Sequence, residues 1–297
     1  MSTRVAAIVV TYNRKDLLLR CLAAISAQSR PVDHIFIWDN ASSDGSVEAL
    51  SAAGWAGNPQ LTITRSSENL GGAGGFKQAM QLAYKAGYDW LWLMDDDTIP
   101  RIDCLAELLN GAERCSHLGQ PLVLASKVLW TDGSLHPMNV VGTKFGYDRQ
   151  RFYDSATAGC ISLRAASFVS CAIHRTAVEQ YGLPIADYFI WSDDIEYTGR
   201  ILRTEYGICV PTSIADHLTV NTYGTLDAAP SRFFYHVRNH AWLLRFSSAY
   251  SRQEKLKIAP LYAINLLRYL ARQRLRPSAI AALGRGLIQG LFRKPTS

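Results

Sequence analysis

An uninterrupted apolar run of roughly 18 residues, the length a bilayer-spanning helix needs, occurs nowhere in the chain. The nearest approach, 258–267, contains Pro260 and Asn265 and stops at Arg268, so a soluble or peripheral protein is expected. Cys21, Cys104, Cys115, Cys160, Cys171 and Cys209 form no CxxC pair, which argues against a zinc ribbon or a secreted disulfide scaffold. No charged and then apolar leader precedes Val5, and the cytosol is the expected compartment. Neither GxxxxGK(S/T) nor GxGxxG is present, so the usual nucleotide fingerprints are missing. Internal repeats and low-complexity segments are also absent.

What is present is enough for one large domain plus an appendage: 297 residues, 48% of them hydrophobic. Charge is unevenly placed. Residues 251–297 carry ten Lys and Arg against one acid, Glu254, whereas the preceding residues carry 21 basic and 24 acidic side chains. A mildly acidic body therefore precedes a basic tail.

Apolar, β-branched runs alternate with helical periodicity through the first third of the chain. Val5 to Val10 reads as a strand and Asp16 to Gln28 as a helix with Leu18, Leu19, Leu22, Ala23 and Ile25 on one face. The pattern continues with a strand at 34–38, a helix at 47–53, a strand at 61–64, a glycine-rich loop at 69–76, a helix at 77–86 and a strand at 90–94. Such alternation predicts an α/β fold with a doubly wound sheet. Beyond Pro121 the pattern loosens, with strand-like pieces at 122–126 and 167–173 around a long polar stretch at 132–157. The regular half, about 1–120, is expected to bind nucleotide and the looser half, about 121–250, to shape an acceptor site. Helical periodicity returns at 252–291, interrupted by Pro277.

Ligands of open α/β sheets sit at the carboxyl ends of the strands, and three polar clusters fall there: Thr11 to Arg14, Asp39 to Ser43, and Asp95 to Asp97. The segment Asp39 to Gly45 also reads as a turn with a helix cap. Asn69-Leu70-Gly71-Gly72-Ala73-Gly74-Gly75 leads into a helix, where backbone N–H groups can approach phosphate. Asp95 and Asp97 follow a fully apolar strand, and if that strand persists they project to one side. Two such carboxylates call for a hard cation, Mn²⁺ or Mg²⁺, with a diphosphate as co-ligand. A second acidic group, Trp191-Ser192-Asp193-Asp194-Ile195-Glu196-Tyr197, opens a helix; its acids suit the helix dipole or supply a base for an acceptor hydroxyl. His217 reads either as structural or as a partner in a carboxylate-imidazole metal set.

In their order and spacing these motifs, with Arg232-Phe233-Phe234-Tyr235-His236-Val237-Arg238-Asn239, resemble glycosyltransferase family 2, in particular its galactofuranosyltransferase and rhamnosyltransferase branch. The resemblance covers about 5–244 and implies a GT-A fold. It implies Thr11, Asn13, Arg14, Asp39 and Asp96 at the nucleotide-sugar and Asn69, Gly71, Gly72 and Gly75 near the donor. It further implies Asp95 and Asp97 at the metal and diphosphate, with His217 joining the metal site as in galactofuranosyltransferases. Asp194 matches the general base and Asp193 a neighbour that holds sugar hydroxyls, with Trp191 and Glu196 at the acceptor. The implied reaction is inverting transfer from a UDP-sugar, UDP-galactofuranose ahead of dTDP-rhamnose, to a glycan or lipid-linked glycan in cell-surface polysaccharide synthesis.

The extra domains of large polymerising relatives are not found, so a short initiating or single-linkage enzyme is expected. No nucleic-acid partner is expected. A nucleotidyltransferase would carry a basic glycine-rich loop near its first strand, and Val9 to Arg14 has no glycine. A non-catalytic sugar-binding subunit would not need Asp95, Asp97 and Asp194. The amphipathic tail 251–297 places Ile258, Leu261, Tyr262, Leu266, Leu267 and Leu270 beside four arginines between 268 and 276, as a helix lying at the cytoplasmic face of a membrane requires. Packing of the same face on the catalytic domain or on a second subunit of a homo-oligomer is the alternative.

Overall fold

The computed structural model describes residues 3–55, 57–144, 146–221 and 225–296. The first half runs β1 (Val5–Thr11), α1 (Lys15–Ser26), β2 (His34–Asp39), α2 (Ser46–Ala52), β3 (Leu61–Arg65), α3 (Gly71–Lys85), β4 (Trp90–Asp95), β5 (Thr98–Pro100), α4 (Cys104–Arg114) and β6 (Val123–Leu129). The second half runs β7 (Gly142–Thr143), α5 (Arg149–Thr157), β8 (Ile161–Ala165), β9 (Cys171–His174), α6 (Arg175–Tyr181), α7 (Asp193–Leu202), β10 (Gly207–His217), α8 (Pro230–Arg245), α9 (Arg252–Arg272) and α10 (Pro277–Phe292).

Successive side chains of a strand point to opposite faces of its sheet, and in β1 both faces are buried. Val5, Ala7 and Val9 join a core with α1, α2 and α4, while Ala6, Ile8 and Val10 join a second core with α3, α6 and α7. A near-continuous apolar run is the sequence signature of that double burial. The sheet order is β3-β2-β1-β4-β9-β6-β10-β8-β7, with β5 added to β10. Strands β3, β2, β1 and β4 are mutually parallel; β9 is antiparallel to both β4 and β6, and β10 is parallel to β6. The chain order reverses at β1, between β2 and β4, which opens the crevice at Thr11 and Asp95.

Two sequence expectations need correction. The segment 69–76 is not a loop throughout, because α3 already begins at Gly71. Glycine is a poor helix former, but packing overrides propensity here: a Cβ on Gly75 would lie 2.6 Å from Val10 Cγ1, so only glycine lets α3 approach β1 this closely. The polar stretch 132–157 contains α5, capped by Asp148, whose side chain accepts from Arg151 N; its Phe145 lies outside the described residues.

The tail forms two helices that turn about the residues before Pro277. Its apolar face divides. Tyr262, Leu266 and Tyr269 are buried against Phe233 and Val237 of α8, whereas Leu261 and Leu267 are exposed. Glu254 of the tail is buried with Arg164 of β8, Nε to Oε1 2.8 Å, which ties α9 to the sheet.

Candidate active site

The acidic cluster after β4 is built by a turn between two strands rather than by a continuing strand. Asp96 and Asp97 form the turn between β4 and β5, and β5 pairs antiparallel with β10 in a register that sets His217 opposite Thr98. Leu218 N also donates to Asp97 O at 2.8 Å. This register brings His217 to a cluster 120 residues away in sequence: one ligand atom each from Asp95, Asp97 and His217 lies within 4.8 Å of the others. His217 Nε2 lies 3.0 Å from Asp97 Oδ1, and Nδ1 lies 2.8 Å from Asn139 Oδ1. Because Asn139 Nδ2 donates to Ser167 Oγ at 2.9 Å, its carbonyl is committed to the imidazole, and Nε2 is the nitrogen left to face the carboxylates.

Charge in this cluster is only partly compensated, by Arg14. Burial and then the neighbouring Asp97 push the Asp95 carboxyl up to about 7, and the same causes push Asp96 up to about 7. Burial acts on Asp97 too, but His217 and Arg14 outweigh it and hold its carboxyl below the ordinary value. Two carboxylates and an imidazole suit a divalent cation of the Mn²⁺ type, and mutual repulsion gives them a reason to take one.

Thr11 and Asp96 are tied to each other, Oγ1 donating to Oδ2 at 2.8 Å, and both are buried. They brace the end of β1 against the acidic turn, with Tyr12 N donating to the same carboxylate at 3.3 Å. Thr11 Oγ1 and Asp96 Oδ2 are thus occupied by one another. Arg14 is half exposed and pairs with Asp97 through Nη1, free on its other side to meet phosphate. Asn13 joins the loop after β1 to the loop after β2: its N–H donates to Ser42 Oγ at 2.9 Å and its Oδ1 accepts from Ser43 N at 2.7 Å. Asp39 uses Oδ1 to accept from Ser42 N at 2.9 Å, while its buried Oδ2 has no hydrogen-bond donor among the described residues and lies 3.5 Å from Arg65 Nε. A buried carboxylate oxygen without a donor is costly, and an N–H on a ligand would satisfy it.

The glycine segment brings the donor side next to the second acidic group. Asn69 Oδ1 accepts from Gly71 N at 2.8 Å, and Gly71 takes φ +70°, with a Cβ there falling 2.1 Å from Phe189 O. Ala73 N donates to that same carbonyl at 3.2 Å. Gly72 faces open space, where no heavy atom lies within 4 Å of an added Cβ. Residues 186–192 therefore lie on the first turn of α3 and lead directly into Asp193 and Asp194 at the start of α7.

The carboxylate pair is divided by environment. Burial and then the charge of Asp194 push the Asp193 carboxyl up to about 8. Burial raises Asp194 only to about 6, since the Ile195 N–H, 2.7 Å from its Oδ1, favours the charged form. Both carboxyls are raised by burial, Asp193 further than Asp194, so the two titrate as a linked pair. Trp191, at φ +65°, is half-buried under the Arg232 guanidinium, 5.0 Å from its ring. Glu196, in the first turn of α7, is buried, pairs with Arg200 at 3.1 Å and accepts from Ser247 Oγ at 2.8 Å, which holds the helix to the chain before α9.

The model of the family described as glycosyl transferase family 2 matches residues 6–173, more than half of the chain. The chain belongs to that family. A galactofuranosyltransferase GlfT1 of Mycolicibacterium smegmatis (strain ATCC 700084 / mc(2)155) is 31% identical over 218 residues, 70% of this chain and 69% of the relative. GlfT1 of Mycobacterium tuberculosis (strain CDC 1551 / Oshkosh) is 28% identical over 257 residues, 82% of this chain and 83% of the relative. Among solved structures, S. aureus TarS 1-349 in complex with UDP aligns with TM-score 0.62 at 15% identity, covering 98% of this chain and 81% of that one. The mannosyltransferase PcManGT from Pyrobaculum calidifontis, in complex with GDP-Man and Mn²⁺, aligns with TM-score 0.57 at 18% identity, covering 99% and 88%. The family 2 chain therefore has the GT-A fold.

Two features of this glycosyltransferase escape its sequence pattern. Asn139, behind the acidic cluster, sits in the polar stretch at 132–157, and only its pairing with His217 gives it meaning. Arg238 and Asn239 belong to the motif at 232–239, which carries the family resemblance but no role, because a helical residue's reach depends on what the helix packs against.

Proposed function

We propose that this family 2 glycosyltransferase moves galactofuranose from UDP-galactofuranose to a hydroxyl of a glycan or lipid-linked glycan, with inversion and with a divalent cation. The observation that carries the reading is the convergence of Asp95, Asp97 and His217 at the crevice where the strand order reverses. The choice of donor is supported by two relatives named galactofuranosyltransferases.

Asp39 Oδ2 would accept the imide N–H of the pyrimidine, which resolves its missing donor, and Arg14 would meet the diphosphate beside Asp97. Asp95, Asp97 and His217 would hold Mn²⁺ or Mg²⁺, which supplies stabilisation for negative charge gathering on the leaving diphosphate. Asp194, whose carboxyl also meets the Ile195 N–H, would take the acceptor proton as the oxygen forms its bond to the anomeric carbon and the carbon–phosphate oxygen bond breaks. Asp193 would hydrogen-bond a sugar hydroxyl. A single displacement of this kind inverts the anomeric centre.

The acceptor would be met at the inner face of the cell membrane through the outer side of α9 and α10. Leu256, Leu267, Ile288 and Phe292 are 76%, 67%, 63% and 81% exposed on these helices, and ten basic side chains share the segment. Among the described residues no helix is long and apolar enough to cross a membrane, so contact would be interfacial. A homo-oligomer through this face would set two strongly basic surfaces together, which disfavours it at low salt. A thermal-shift panel of UDP-galactofuranose, dTDP-rhamnose, UDP and dTDP, each with Mn²⁺, tests the donor; preference for the dTDP ligands would transfer the reading to rhamnose.

A further inference from the structure

We propose that Arg238 and Asn239 of α8 are positioning residues that set the Asp193–Asp194 pair by clamping the backbone carbonyls of Asp187, Tyr188, Ile190 and Trp191. Asn239 is fully buried, and its Nδ2 lies 2.9 Å from Tyr188 O, 2.9 Å from Ile190 O and 2.7 Å from Trp191 O. An amide nitrogen has two hydrogens, so three carbonyls converging on it share them. Arg238 fixes which end of the amide faces the loop: its Nε donates to Asn239 Oδ1 at 3.0 Å. Its Nη2 donates to Asp187 O at 2.6 Å and to Tyr188 O at 3.0 Å.

The clamp is needed because the loop would not adopt this path unaided. Phe189, Trp191 and Ser192 all have positive φ, 62°, 65° and 67°, in the left-handed region that side chains other than glycine disfavour. Such a path persists only where surrounding groups over-determine it. Ser192 is the N-cap of α7, and Asp193 and Asp194 are the first residues of that helix. Relaxing the loop therefore moves the pair, while the metal cluster, carried by β4, β5 and β10, stays in place. On its other side the loop touches α3 through Phe189 O and Ala73 N, so the clamp also sets the pair's distance from the donor side.

The inference rests on Asp194 as the base, and the test separates the two. Asn239→Ala and the milder Arg238→Lys, which keeps the charge but loses the planar fork, are compared with Asp194→Asn and the unaltered chain. Calorimetry of UDP with Mn²⁺ gives both affinity and the fraction of molecules that bind. Single-turnover transfer is then expressed per binding molecule. Displacement of a reacting group by about 1 Å costs on the order of 10²-fold in rate. A loss of that order in Asn239→Ala, a smaller one in Arg238→Lys, and UDP affinity unchanged in both is the expected result. Should Asn239→Ala fail to fold, Arg238→Lys alone decides. Normal transfer per binding molecule in Arg238→Lys, with Asp194→Asn inactive, overturns the clamp; normal transfer by Asp194→Asn overturns the base assignment instead.

Discussion

A metal ligand and a general base fail differently when removed, so single residues separate the roles. Asp97→Asn is expected to weaken Mn²⁺ and, with it, the UDP-donor, because the cation joins carboxylate to diphosphate. Asp194→Asn keeps the shape but cannot accept a proton, so UDP and Mn²⁺ affinity should persist while turnover drops by about 10² to 10⁴. Calorimetry paired with single-turnover transfer reads both; near-normal turnover of Asp194→Asn would pass the role to Asp193. Asn139 acts behind His217 by fixing the imidazole through Nδ1 at 2.8 Å. Loss of such an outer partner costs about 10- to 100-fold in metal affinity. Asn139→Ala should therefore bind Mn²⁺ more weakly by electron paramagnetic resonance titration, and unaltered affinity would make the contact merely structural.

At the scale of elements, α3 and the tail helices carry the tests. Gly75→Leu places a side chain where Val10 Cγ1 already lies 2.6 Å from the Cβ position, and overpacking of this kind costs about 1–3 kcal/mol. A drop of that size in urea denaturation, with UDP affinity reduced because α3 backs the crevice, is the expected outcome; unchanged stability would mean that the helix shifts freely. Liposome sedimentation of Leu256→Glu/Leu267→Glu against the unaltered chain tests the outer face of α9. Reduced binding to anionic vesicles is expected, and equal binding by the folded variant would reject membrane contact there. Strands β1 and β4 were legible in the sequence because burial on both faces makes each a continuous apolar run, with polar residues at its carboxyl end. The start of α3 was not, since glycines that serve close packing look the same as glycines of a loop. Nor was the turn at Asp96–Asp97, which nevertheless brings Asp95 and Asp97 into one cluster. Glu196 could not be told apart in the sequence from the acids before it, because residues three apart share a helix face; its pairing with Arg200 four residues on and with Ser247 is visible only in the fold. His217 was legible only by resemblance, since its position depends on the β5–β10 register.

The whole molecule answers to pH through the same buried carboxylates. Asp95, Asp96 and Asp193 have folded-state values raised to about 7, 7 and 8, so each contributes stability that is present at low pH and lost as pH rises toward those values. His136, His236 and His240 are lowered by burial to about 4, 3 and 4, so their contribution is lost only as pH falls below their unfolded value of about 6.5. Between about pH 6.5 and 7.5, above the histidines and below Lys144, which burial lowers to about 8 and which acts in the opposite sense, the carboxylates dominate and stability should fall with rising pH. Thermal unfolding across that window checks the sign; a flat or rising profile would mean that the carboxylates are better solvated than their burial indicates. The most direct test of the proposed activity is single-turnover incubation of the chain with UDP-galactofuranose, Mn²⁺ and a glycan acceptor, with the anomeric configuration of the product read by NMR. The expected product carries galactofuranose in the configuration opposite to that of the donor and is lost on adding EDTA. Transfer that retains configuration, or that continues undiminished in EDTA, would contradict the account.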